Sequence, residues 1–150
     1  MTGFRLGYAC GPPELVEAMM KIHQYTMLCA SSLSQKAALE ALARPAADIG
    51  EMVEEYRRRR NFIAGAFQDM GLDCHRPLGA FYAFPSVGRY GLSSQEFSLR
   101  LLREHKVAVV PGTAFGACGE GFVRCAYATS MENIKEAMLR LRKFVAGLNG

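Results

Sequence analysis

The stretch Val110-Pro111-Gly112-Thr113-Ala114-Phe115-Gly116-Ala117-Cys118-Gly119-Glu120-Gly121-Phe122-Val123-Arg124 constrains the fold of this chain more than any other. It reads as a strand end, a turn region studded with glycines, and a second strand carrying one arginine among apolar neighbours. Side chains alternate along a strand, so Phe122, Arg124 and Ala126 fall on one face and Val123, Cys125 and Tyr127 on the other. Both faces read as largely buried. A guanidinium in such surroundings is costly unless an anion meets it, so Arg124 is either half of an ion pair or a ligand clamp.

The rest of the chain has to supply the context. At 150 residues and 50% hydrophobic it can build one core, or one core plus a piece of another. It has no run of about 18 apolar residues and no basic-then-apolar leader, so neither a membrane span nor a signal peptide is indicated and a cytoplasmic setting is expected. The five cysteines, Cys10, Cys29, Cys74, Cys118 and Cys125, are odd in number and widely spaced, with no CxxC pair. They read as reduced core thiols, with no metal site implied. The net charge of +4 is modest, and Arg57-Arg58-Arg59-Arg60 is its clearest source. Glu54 and Glu55 precede that run at three- and four-residue spacing, so it reads as a solvated helix face, and nucleic acid is not an expected partner.

In chain order, Met1 to Gly11 reads as a strand with glycines at both ends and Arg5 in its middle, beginning so abruptly that residues before Met1 are expected in a longer protein. Pro12-Pro13 suits the first turn of a helix that runs through about Tyr25, with Leu15, Val16, Met19, Met20 and Ile22 as its apolar stripe. The serines of Ser31-Ser32-Leu33-Ser34 suit caps for a second helix, Gln35 to Ala43, which Arg44-Pro45 stops. This is the main boundary: residues 1–45 form one part and 46–150 another. Asp48-Ile49-Gly50-Glu51 has the form of a capping box and opens a long linking helix over about 49–70, closed by Gly71.

Short strands follow. Leu72 to His75 and the aromatic Ala80 to Pro85 precede Ser93-Ser94-Gln95-Glu96, a second capping box, whose helix ends near His105-Lys106. Val107 to Val110 is a continuous apolar run and is expected at the centre of its sheet. Ser130 caps a last helix from Met131 to about Ala146, with Ile134, Ala137, Met138, Leu141, Phe144 and Val145 at helical spacing. The order predicts an α/β fold, more closely α+β in the second part: helices packed on a small mixed or antiparallel sheet.

The usual catalytic constellations are absent: no HExxH, no Walker loop and no GxSxG. The glycines of 111–121 do not match GxGxxG, and they lead into a strand where a dinucleotide fingerprint leads into a helix. Two arginines in apolar strand contexts remain, Arg5 and Arg124. Two buried guanidiniums suit two anionic groups of one ligand, for example a phosphate and a carboxylate.

Three motifs carry a family resemblance. They are Met1-Thr2-Gly3-Phe4-Arg5-Leu6-Gly7-Tyr8; then Pro77 with Gly79-Ala80-Phe81-Tyr82-Ala83-Phe84-Pro85; then Val110-Pro111-Gly112 with Phe115-Gly116, Gly119, Gly121 and Arg124. In that order and spacing the chain resembles, over essentially all its length, the C-terminal portion of the fold-type I, pyridoxal-phosphate-dependent aminotransferases of classes I and II. The resemblance implies that residues 1–45 are the tail of the large cofactor-binding domain and 46–150 the small domain. It matches Arg5 to the arginine that binds the phosphate of pyridoxal 5'-phosphate, and Arg124 to the one that forks the substrate α-carboxylate. Phe81 and Tyr82 then line or support the substrate pocket, and Ser32 lies where some relatives place a hydroxyl near the neighbouring subunit's phosphate.

The same resemblance implies amino transfer between an amino acid and a 2-oxo acid in a homodimer, with no membrane partner. It also sets a limit. The family's cofactor-holding lysine lies four residues before the position of Met1, and the five lysines here, Lys21, Lys36, Lys106, Lys135 and Lys143, sit at unrelated positions. No catalytic residue is therefore assigned within the chain, and the polypeptide alone is expected to be inactive. The alternatives are a non-catalytic truncated or assembly module, and a lyase or racemase on the same scaffold.

Overall fold

In the computed structural model of the chain, residues 1–44 and 49–148 are described. The chain divides into two compact units, Met1–Asp48 and Ile49–Gly150.

The first unit holds a 3-10 turn at Thr2–Phe4 and two helices, α1 (Pro13–Thr26) and α2 (Ser32–Ala43). The strand expected over residues 1–11 does not form. Phe4 donates its N–H back to the Met1 carbonyl at 3.0 Å, and Arg5 turns into the left-handed region at φ 52°. A strand needs a neighbour for its backbone groups, and no strand among the described residues pairs with this segment. Pro13, with no N–H to leave unpaired, opens α1. α2 starts three residues before the expected Gln35, and Ser31 at its N-cap makes no side-chain bond. Ser34 buries its hydroxyl, which donates to the Phe4 carbonyl at 2.8 Å. Arg44 leaves α2 in extended conformation, as the following proline dictates. The two helices bury no apolar side chain within the chain: Leu15, Met19, Ile22, Tyr25, Leu33 and Leu39 all stay exposed. Asp48, the expected cap of the linking helix, lies outside the described residues.

The second unit is an α/β arrangement with its own core. Helices α3 (Gly50–Asp69), α4 (Ser94–His105) and α5 (Met131–Leu148) pack with three short strands, β1 (Tyr82–Ala83), β2 (Val110–Pro111) and β3 (Val123–Ala126). The sheet is antiparallel throughout, in the order β1-β3-β2, with Tyr82 opposite Ala126, Ala83 opposite Cys125 and Val110 opposite Arg124. Local signals set the helix ends. The Ser93 hydroxyl accepts from the Glu96 N–H at 3.1 Å at the start of α4, and the Ser130 hydroxyl accepts from the Asn133 N–H at 3.2 Å at the start of α5. Gly71, at φ 70°, closes α3 with paired bonds from its own N–H to Gln68 and from the Leu72 N–H to Phe67, both 2.9 Å.

The core takes part of each expected helical stripe: Leu102, expected to be buried in α4, and Ile49, Met52 and Val53, expected on the apolar stripe of α3, are exposed. Ile63 and Phe67 of α3, Phe97 and Leu101 of α4, and Ile134, Met138, Leu141, Phe144 and Val145 of α5 close over Val123, Cys125 and Tyr127. The rings of Phe97 and Phe144 meet edge-on at 5.1 Å. Arg57 and Arg58 pair with Glu54 and Glu55 on the solvated face of α3, whereas Arg59, also paired with Glu55, is half-buried against the Tyr56 ring and Arg60 is half-buried too. None of the described helices is long and apolar enough to cross a membrane.

Four expectations are corrected. Val107 to Val110 is not a central strand: only Val110 and Pro111 join the ladder, on its edge, and β3 is central. Val107 and Val109 are apolar because they pack into the core beside the sheet. Leu72 to His75 contributes only one isolated bridge, Cys74 opposite Pro85. β3 is buried on one face only, since Val123, Cys125 and Tyr127 are covered while Phe122 and Ala126 are exposed. The cysteines are free as expected, but Cys10, Cys29 and Cys118 are exposed and only Cys125 is a core thiol, pushed up to about 12 by burial.

Candidate functional site

Arg124 sits mid-strand on the uncovered face of β3, half-buried. Its guanidinium carbon lies 4.2 Å from the centre of the Tyr82 ring and 4.3 Å from that of Phe115. Tyr82 comes from β1, in register with Ala126, two residues along from Arg124 on the same face. Phe115 comes from the loop that joins β2 to β3. Both rings lie within cation–π distance of the guanidinium, a contact that uses none of its N–H donors. Among the described residues Arg124 makes no salt bridge and donates to no protein acceptor, whereas seven other arginines are ion-paired. The ion-pair reading of Arg124 is therefore not what the structure shows. A planar fork with its donors free suits a carboxylate or phosphate.

The loop carrying Phe115 is tightly built. It consists of two 3-10 turns, Gly112–Phe115 and Ala117–Gly119. The turns meet at Gly112 and Gly119, where a Cβ on either glycine would stand 2.0 or 2.1 Å from the other's carbonyl oxygen. The Gly112 N–H donates to the Phe122 carbonyl at 2.8 Å, which closes the loop at its base. Gly121, at φ 80°, offers its carbonyl to the N–H groups of Val87 and Gly88 at 2.7 and 3.1 Å. Glu120 reaches the start of α4: one carboxylate oxygen accepts from the Ser94 N–H at 2.8 Å, the Ser94 hydroxyl at 3.1 Å and the Gly121 N–H at 3.1 Å. The N–H groups of Ser94 and then Gly121 hold the Glu120 carboxyl below the usual carboxylate range.

The remaining expected residues divide. Phe81 does not reach Arg124; its ring lies 4.6 Å from Tyr82 and 6.1 Å from Tyr56, so it backs the ring that does. Phe84 backs the other, edge-on to Phe115 at 5.6 Å. An aromatic row from Tyr56 through Phe81 and Tyr82 to Phe115 and Phe84 thus has Arg124 set into it. Phe81 also lines a groove of about 390 Å³ together with Val53, Tyr56, Arg60 and Tyr127. Arg5 is exposed, against the expectation of a buried guanidinium, and it pairs with no acidic group among the described residues. Ser32 opens α2 with an exposed side chain.

Sequence reasoning missed Phe115, Glu120 and Ser94 as members of this site. Phe115 gave one signal: an aromatic side chain between Gly112 and Gly116, in a turn too short to build a core of its own. Glu120 and Ser94 gave none, because 26 residues separate them.

Comparison with known proteins gives one consistent result. The family model for aminotransferase class I and II matches residues 1–141. YugH of Bacillus subtilis, an aminotransferase by name, is 52% identical over 145 residues, covering 97% of this chain and 38% of that protein. Aromatic-amino-acid aminotransferase 2 of Thermococcus litoralis is 46% identical over 145 residues, covering 95% of this chain and 37% of that protein. The crystal structure of an aromatic aminotransferase from Pyrococcus horikoshii superposes with a TM-score of 0.84 at 42% identity, over 98% of this chain and 40% of that one. The chain thus spans about two fifths of the length of the relatives it matches.

Proposed function

The chain belongs to the class I and II aminotransferases, and from that premise we infer that it forms the C-terminal part of an amino-acid aminotransferase in which Arg124 holds the substrate α-carboxylate. One observation carries this reading. Arg124 lies against the rings of Tyr82 and Phe115, and no protein acceptor among the described residues takes its N–H donors, which leaves a planar fork for one planar anion. An amino acid and the 2-oxo acid derived from it share that carboxylate, so one clamp serves both halves of a reversible transfer.

Family members use pyridoxal 5'-phosphate. When bound, the cofactor supplies the aldehyde carbon that takes up and returns the amino group. The residues of this chain fit a part of its binding: Arg5 offers an exposed guanidinium, pairs with no carboxylate among the described residues, and is suited to the cofactor phosphate. In this reading the lysine that holds the cofactor lies outside this chain, four residues before the position of Met1 as in the family, and none of the five lysines present, in α1, α2 and α5 or at the C-cap of α4, takes its place. Residues 1–45 are then the tail of the large domain and 46–150 the small domain. The exposed apolar side chains of α1 and α2 support this, since a helix with no covered face needs the remainder of a domain or a second subunit to cover it. A homodimer in the cytoplasm is part of the same reading.

The test is a turnover assay on the complete protein with added cofactor, an amino acid and a 2-oxo acid. One new 2-oxo acid is expected for each new amino acid formed, and the 150-residue chain alone is expected to form neither. Release of ammonia, loss of carbon dioxide or simple racemisation would replace transfer with lyase or racemase chemistry.

A further inference from the structure

We propose that Glu120 is a positioning residue for the Arg124 carboxylate site, acting through Phe115 by fastening their shared loop to the first turn of α4. This rests on the reading of Arg124 as a carboxylate clamp.

α4 does not need Glu120 as a cap. Its first turn is already capped by Ser93, whose hydroxyl accepts from the Glu96 N–H. Glu120 adds a second tie from far along the chain, and its bonds join the loop and the helix in both directions. Its carboxylate accepts from the Ser94 N–H and hydroxyl, while the Ser94 hydroxyl accepts from the Gly121 N–H at 2.8 Å. Ser94 is fully buried and Glu120 is exposed, so the tie runs from the surface of the loop to a covered residue at the start of α4.

The Phe115 ring touches Phe84 and Arg124 but makes no hydrogen-bonded tie of its own. It is 51% exposed and lies between the Gly112 and Gly119 turns, so its ring position depends on how those turns are held. One limb of the loop is fixed by the ladder bond from Gly112 to Phe122. The other limb, Ala117 to Gly121, is fixed by the Glu120 tie and by the contacts of Gly121 with Val87 and Gly88. Releasing Glu120 lets this second limb move and loosens the contact of Phe115 with Arg124. The guanidinium then gains freedom about its last torsions, and that freedom must be lost again when a carboxylate binds.

The test is calorimetric titration of the complete protein, free of cofactor, with 3-phenylpropionate as a carboxylate probe, together with hydrogen exchange of amides 113–121. Glu120→Ala is expected to weaken probe binding about tenfold, in line with the effect of a small misplacement in a binding group, and to speed exchange in the loop. Glu120→Gln keeps a neutral acceptor for the Ser94 N–H and is expected to weaken binding about threefold, since charge-assisted bonds are roughly twice as strong as neutral ones. Ser94→Ala removes the hydroxyl link while leaving the main-chain bond, and gives a second reading if Glu120→Ala fails to fold. Ser130→Ala removes the equivalent cap of α5 and is expected to bind the probe as the parent does.

Unchanged affinity in Glu120→Ala, with binding lost in Arg124→Ala, would overturn the positioning role and leave the clamp standing. Unchanged affinity in Arg124→Ala would remove the clamp itself. Equal weakening in Glu120→Ala and Ser130→Ala would assign the effect to general stability and would likewise overturn the proposal.

Discussion

Arg124→Ala is expected to raise the KM for amino acid substrates of the complete enzyme about a hundredfold, a loss of about 3 kcal/mol, within the range for removing one partner of a hydrogen-bonded charge pair. The cofactor absorbance is expected to stay as it is, because the change removes a contact to substrate only. Stability should respond much less. Arg124 makes no salt bridge among the described residues, so its removal strands no buried carboxylate there. What folding loses is the stacking on Tyr82 and Phe115, worth about 1 kcal/mol at a half-exposed site. Arg124→Lys retains the charge and loses the planar fork, so it should recover only part of the affinity. An unchanged KM in Arg124→Ala, measured beside an unchanged melting midpoint, would take the residue out of the carboxylate role.

Gly119→Ala is expected to be among the most damaging substitutions in the second unit. The new Cβ would stand 2.1 Å from the Gly112 carbonyl oxygen and 2.3 Å from its carbon; the reciprocal Gly112→Ala meets Gly119 at 2.0 Å and Phe122 at 2.8 Å. The conflict is one of space, backbone against backbone, and no flexible side chain can move aside. The two 3-10 turns must part by an ångström or more, which disturbs the ladder bond from Gly112 to Phe122 and the position of Phe115. Overpacking at a site that cannot relax costs about 3 kcal/mol or more, a large share of the 5–15 kcal/mol that stabilises a typical domain. Gly147→Ala is the control: it lies in α5 with nothing within 4 Å of the added carbon. There alanine should be neutral or stabilising by up to about 1 kcal/mol. Denaturant unfolding of the three variants checks this, and midpoints for Gly119→Ala and Gly112→Ala equal to the parent's would contradict it.

Helix ends and apolar stripes were legible in the sequence because both are local. Pro13, Ser93, Gly71 and Ser130 each act on backbone groups within a few residues, and each stands where it was expected to act. Val107 to Val110 shows where this stops. Its apolar run is the same whether its residues pair in a ladder or pack beside one, and only the position of β3 decides. Met1 to Gly11 fails for a related reason, since strand character needs a partner that these residues do not have here. Arg124 was legible as an arginine needing an anion, but its surroundings were not. The ring of Tyr82, the turn bearing Phe115 and the tie from Glu120 to Ser94 meet only after the chain has folded.

Whether Arg124 receives a substrate carboxylate is tested most directly by a crystal structure of the complete protein with 3-phenylpropionate bound. Both carboxylate oxygens are expected in the plane of the Arg124 guanidinium at about 2.8 Å, the separation of a charge-assisted pair, with the rings of Tyr82 and Phe115 still against it. A carboxylate bound elsewhere, with Arg124 paired to an acidic side chain of the protein itself, would contradict that role.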